Sequence, residues 1–119
     1  MKLIRSFTYA WQGIIYCYKT QLNFRIHLLV LLIVAIAAFV FEISSTEWLF
    51  IIVSSALVLV LELINTAIEN LCDIITRDNH PAIKIIKDVL AASVLIAAAG
   101  SAATGIIIFL PKIILLFKL

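Results

Sequence analysis

Trp48–Ile75 reads WLFIIVSSALVLVLELINTAIENLCDII. Up to Leu61 the stretch is apolar apart from Ser54 and Ser55. Beyond it come Glu62, Asn65, Glu69 and Asp73, and no Gly or Pro interrupts the helical pattern. The stretch is therefore read as one helix that begins as a membrane span and ends as a polar stripe. The four polar residues recur at i, i+3, i+7 and i+11, which places them on one helical face. Glu62 and Glu69 lie about 10 Å apart along the axis. An acid at mid-bilayer costs about 2.5–3.5 kcal/mol on insertion scales, so a stripe opening on Glu62 points to a functional polar cavity.

The rest of the chain fits a bilayer. Of 119 residues, 65% are hydrophobic, and the mean hydropathy is +1.21. A soluble domain averages roughly 45–50% apolar, and a small one has little interior for the excess. Residues 3–19 carry Leu3, Ile4, Phe7, Trp11, Ile14, Ile15 and Tyr18 at helical spacing, with Lys2, Arg5, Gln12 and Lys19 mostly opposite. Such a helix is too polar to span and belongs in the interface plane, with Trp11 and the tyrosines at headgroup level. The expected fold is an all-α integral membrane protein in a single domain, 1–119. It has an N-terminal amphipathic surface helix (about 1–22) and three transmembrane helices (about 26–43, 48–75 and 85–110). Pro81 fits the first turn of the last helix, and Pro111 is expected to end it.

Seven basic residues (Lys2, Arg5, Lys19, Arg25, Arg77, Lys84, Lys87) fall on one side of the spans, and Lys112 and Lys118 on the other. The positive-inside rule puts the N-terminus in the cytosol and the C-terminus outside. The start, MKLIRSFTYAW, lacks the pattern of a cleavable signal peptide. Ser93, Ala97, Ser101 and Gly105 form a small-residue stripe that suits close helix packing, either between copies of a homo-oligomer or within one chain. No clustered basic face offers itself to nucleic acid. Cys17 and Cys72 read as reduced, cytosol-side thiols. His27 and His80 read as ordinary polar residues near the interface.

Lys87 and Asp88 open the last span on the same side as the stripe. Carboxylates, an amide and a lysine suit phosphoryl transfer: carboxylates hold a divalent metal, a lysine steadies the transferred group, and an acid accepts a hydroxyl proton. There is no GxxxxGK loop, so an ATP site here is not a P-loop. Taken singly, Asp88 as a helix cap, Lys87 as a snorkelling side chain, and Glu69 and Asp73 as solvated residues need no function.

ELINTAIENLCD at Glu62–Asp73 with KD at Lys87–Asp88 resembles the prokaryotic diacylglycerol kinase family, small three-span homotrimeric enzymes of the bacterial cytoplasmic membrane. The likeness runs from YAWQG at Tyr9–Gly13 to the last span. NFRIH at Asn23–His27 and FLPK at Phe109–Lys112 look more like the undecaprenol kinase branch. The resemblance implies composite sites at subunit contacts, MgATP as donor and a membrane lipid alcohol as acceptor, undecaprenol ahead of diacylglycerol. It makes Glu62 the general base and Glu69 a metal-binding carboxylate. Tyr9, Asn65, Asp73, Lys87 and Asp88 become the nucleotide-side residues. Gln21 departs from the pattern, because the family has a metal-sharing glutamate there and an amide is a weaker ligand for a hard cation. That departure supports the competing expectation of a weakened or non-catalytic membrane scaffold. A transporter or channel would need polar residues through the membrane centre, and the first and third spans offer only serine, threonine and glycine.

Overall fold

The computed structural model describes residues 1–118, and these form four α-helices: α1 (Lys2–Thr20), α2 (Leu22–Val40), α3 (Ser45–Ile75) and α4 (Pro81–Lys118). Three of them, α2, α3 and α4, are long and apolar enough to cross a membrane. Their large apolar side chains stand mostly on the outside, as with Phe39 (74% exposed) and Leu95 (69%). Such faces suit lipid or a neighbouring copy. With 31 and 38 residues, α3 and α4 measure about 46 and 57 Å, well beyond a hydrocarbon core of about 30 Å. The surplus of α3 carries the polar stripe.

The α2–α3 reversal follows from local capping. Phe41 closes α2, and Glu42 takes φ 50, in the left-handed region where glycine is the usual choice. The Ile43 N–H then donates to Ala38 O at 3.2 Å, and the Glu42 N–H to Phe39 O at 3.3 Å. Ile43 turns inward against Ala38, Ile51 and Ile108, the apolar contact that accompanies this kind of helix end. Next, Ser44 and Glu47 form a reciprocal capping box: Glu47 N–H donates to Ser44 Oγ at 3.2 Å and Ser44 N–H to Glu47 Oε1 at 3.0 Å. Such a cap contributes about 1 kcal/mol.

Pro81 is the first residue of α4, as the sequence suggests. Pro111 corrects the sequence reading, because it lies inside α4, which continues to Lys118. A proline withdraws one helix donor, but the next residue fastens the helix beyond it. Lys112 Nζ donates to Glu47 Oε2 at 2.8 Å and to Ile108 O at 3.3 Å. Phe41 packs near Phe109 (ring centroids 6.1 Å) and Phe39 edge-on to Trp48 (5.0 Å), closing the same end of the molecule.

The stripe Ser93, Ala97, Ser101 and Gly105 lies on the less exposed side of α4. Ser101 and Gly105 line a cleft shared with α2 and α3. Ala97 is the buried member of the stripe, while a Cβ at Gly105 would meet nothing within 4 Å, so the lower half of the stripe borders the cleft and is not packed against a helix of this chain.

At the opposite end, Gln21 breaks the chain between α1 and α2 with extended backbone (φ −115, ψ 109). That single residue lets α1 leave the line of α2 and meet α3 instead. Tyr16 Oη accepts from Asn70 Nδ2 at 3.0 Å across the α1–α3 contact.

Candidate functional site

Burial falls steadily along the stripe of α3. Glu62 is buried (3% exposed). Asn65 and Glu69 are half-buried, and Asp73 is exposed. A helix emerging from an apolar layer produces this gradient when one face turns toward a neighbouring helix and its end reaches water.

Glu62 is the one buried charged side chain among the described residues. The nearby Thr66 is equally buried, and its Oγ1 donates to the Glu62 backbone carbonyl at 2.9 Å. That bond uses the hydroxyl and leaves the carboxylate to other groups. His27 Nε2, on α2, comes within 3.3 Å of Glu62 Oε1. The approach is close but not aligned as a hydrogen bond, and Oε1 accepts none from the described residues. A buried carboxylate oxygen without a donor is costly, which singles out Glu62 as the candidate reactive group.

The sequence reading took His27 for an ordinary polar residue near the interface, and the structure adds its approach to Glu62. The pairing joins residues far apart in the chain, and no local spacing announces it. The nearest signal was its place in NFRIH.

The α3–α4 end forms a second polar group. Asp73 Oδ1 meets Lys87 Nζ at 3.2 Å, and Asp88 Oδ2 meets Lys84 Nζ at 2.6 Å. Lys87 and Asp88, read together from the sequence, are thus directed to different partners. Lys84, which entered only as a charge for orientation, joins the cluster. Lys84, Asp73 and Asp88 are exposed and Lys87 is half-buried, so these pairs add little to stability.

Glu69 makes no hydrogen bond or ion pair with another described residue, and its carboxylate is available. Gln21 is half-buried, and its Nε2 donates to Thr20 Oγ1 at 3.4 Å. Tyr9 is exposed on α1; Tyr16, not Tyr9, is the tyrosine bonded to α3. Among the described residues no three His, Cys, Asp or Glu side chains gather into a metal-binding cluster. A magnesium ion needs fewer, since one or two carboxylates and substrate phosphates commonly complete its shell. Glu69 fits that requirement as a single hard donor.

Between α2, α3 and α4 runs an apolar cleft of about 740 Å³. Its lining includes His27, Val30 and Val34 from α2, Val58 from α3, and Ala98 and Ile113 from α4. His27 thus joins the cleft to Glu62. A smaller hollow of about 450 Å³ lies between α1 and α3, beside Tyr16 and Asn70.

Comparison with known proteins matches residues 8–109 to the family model described as prokaryotic diacylglycerol kinase. The chain is similar to an undecaprenol kinase of Bacillus subtilis (strain 168), with 38% identity over 112 residues, covering 94% of this chain and 91% of that protein. It is also similar to a diacylglycerol kinase of Synechocystis sp., with 37% identity over 113 residues, covering 94% of this chain and 65% of that protein.

Proposed function

This chain belongs to the prokaryotic diacylglycerol kinase family and is a lipid kinase, and on that premise we propose that it phosphorylates undecaprenol with MgATP at the cytosolic face of the membrane. The observation that carries the proposal is the buried Glu62 carboxylate, with one oxygen lacking a donor at the inner end of a polar stripe. An attacking alcohol is a donor that this carboxylate can accept from. The apolar cleft meeting His27 suits the hydrocarbon chain of that alcohol. NFRIH and FLPK favour undecaprenol over diacylglycerol, since the two relatives are almost equally similar.

In this reading Glu62 takes the proton of the lipid hydroxyl as its oxygen bonds to the γ-phosphorus and the bond to ADP breaks. Lys87 leaves Asp73 for the phosphoryl group, where its charge opposes the one that develops in transfer. Asp73 and Asp88 then orient the two lysines, and the Asn65 amide steadies the phosphates from the half-buried part of the stripe. Tyr9 reaches the nucleotide from α1. Glu69 would hold the metal. A magnesium ion bound there supplies neutralisation of the phosphate oxygens.

The site is composite in a homotrimer, with neighbouring copies covering the apolar faces left bare. In this reading α1 lies in the interface plane, and the excess of Lys and Arg on one side of the spans supports a cytosolic N-terminus and an outside C-terminus.

Gln21 favours a second reading, a catalytically weakened or non-catalytic membrane scaffold. Magnesium-dependent ATP binding by the purified protein separates the two. Saturable binding that requires Mg²⁺ supports the kinase, and none across a wide Mg²⁺ range supports the scaffold. Gln21→Glu adds a second hard donor. It is expected to lower the Mg²⁺ concentration for half-maximal transfer severalfold, read from a Mg²⁺ titration of the rate. An unchanged titration curve and an unchanged rate would remove position 21 from the metal site.

A further inference from the structure

Glu62 and His27 form a pair that the proposed chemistry above leaves half explained. His27 is the more accessible member, its side chain 24% exposed against 3% for Glu62. His27 borders the α2–α3–α4 cleft, where α3 presents Val58 and Leu59 and α4 presents Ala98 and Ser101. No other titratable side chain lines that cleft among the described residues. On α2 itself, Arg25 is turned the other way, its Nη1 donating to Tyr18 O at 3.3 Å. Thr66 is committed to backbone. The Nε2 edge of His27 is the donor edge that the described residues bring to Glu62, 3.3 Å from Oε1.

We propose that His27 is a positioning residue for phosphoryl transfer: a small turn of its imidazole brings Nε2–H onto Glu62 Oε1 and holds the carboxylate aimed at the acceptor hydroxyl. The inference rests on the reading of Glu62 as the base. Two physical facts support it. A lone ionised carboxylate in an apolar layer is unstable without a charge-stabilising donor. A charge-assisted hydrogen bond is shorter and stronger than a neutral one, and it fixes the direction of the free oxygen. A histidine serves better here than a lysine. Its flat ring reaches the oxygen along the helix surface without an obligatory full charge in the membrane. Thus, once the carboxylate has taken the hydroxyl proton, no uncompensated cation remains beside it.

The test compares kcat and the KM values for ATP and lipid in wild type, His27→Leu and His27→Gln. The glutamine places an Nε2 donor at nearly the reach of the imidazole Nε2. His27→Leu is expected to lower kcat by about 10- to 100-fold, the worth of one hydrogen bond to a charged group. Both KM values stay within about twofold. His27→Gln is expected to recover most of the lost kcat. Wild-type kcat in His27→Leu, a change confined to KM, or a glutamine no better than leucine each overturns the role. A second measurement needs no change at position 27. ¹⁵N NMR of histidine-labelled protein is expected to show the His27 ring signals shifted between wild type and Glu62→Gln, and identical signals overturn the contact. Wild type unable to phosphorylate any lipid alcohol overturns the base assignment together with the role. Normal wild-type transfer with an unaffected His27→Leu overturns the role alone.

Discussion

Glu62→Gln is expected to abolish phosphoryl transfer while leaving the fold and ATP binding intact. The substitution preserves shape and volume and removes only the proton acceptor. A general base contributes about 10²–10⁴ in rate, so residual turnover should fall to the lower limit of a labelled-ATP assay. The physical surroundings separate this outcome from simple misfolding. Glu62 is buried, and its Oε1 accepts no hydrogen bond; replacing a poorly solvated carboxylate with a neutral amide relieves burial of charge. The thermal midpoint in detergent should therefore hold or rise. ATP affinity should change less than about twofold, because Asp73 and Lys87 lie at the far end of the stripe. A variant that keeps more than a tenth of the wild-type rate (roughly 1.4 kcal/mol of barrier) would remove Glu62 from the base role.

Glu69→Gln should give the second largest loss. Its carboxylate is half-buried and unpaired among the described residues, and with Gln21 already an amide it is the remaining acidic donor proposed for the metal. A metal contributes several kcal/mol to charge stabilisation in phosphoryl transfer, so loss of its one acidic ligand is expected to slow the enzyme at least about a hundredfold. The loss should shrink as Mg²⁺ is raised, because the ion can still arrive with the nucleotide. A loss that ignores Mg²⁺ would mean that Glu69 acts otherwise.

The helices and the polar stripe were readable from the sequence because both depend on local periodicity. The end of α3 at Ile75 follows from an uninterrupted pattern, and the start of α4 at Pro81 from a residue with no donor to lose. Four features were not readable. The turn at Glu42 puts a charged residue in a glycine-type conformation, which the burial of Ile43 supports from outside the turn. The continuation of α4 through Pro111 depends on the bond from Lys112 to Glu47, far away in sequence. The approach of His27 to Glu62 is likewise set by how α2 packs on α3. In each case a tertiary contact decides what a local rule leaves open. The division of Lys87 and Asp88 between Asp73 and Lys84 is of the same kind.

The most direct test is phosphate transfer from labelled ATP by the purified protein, with undecaprenol and diacylglycerol offered separately. Mg²⁺ is varied, and Glu62→Gln serves as control. Faster transfer to undecaprenol, dependent on Mg²⁺ and absent in the control, is the expected result. Absence of transfer to either lipid by folded protein, or equal transfer in the control, would contradict it.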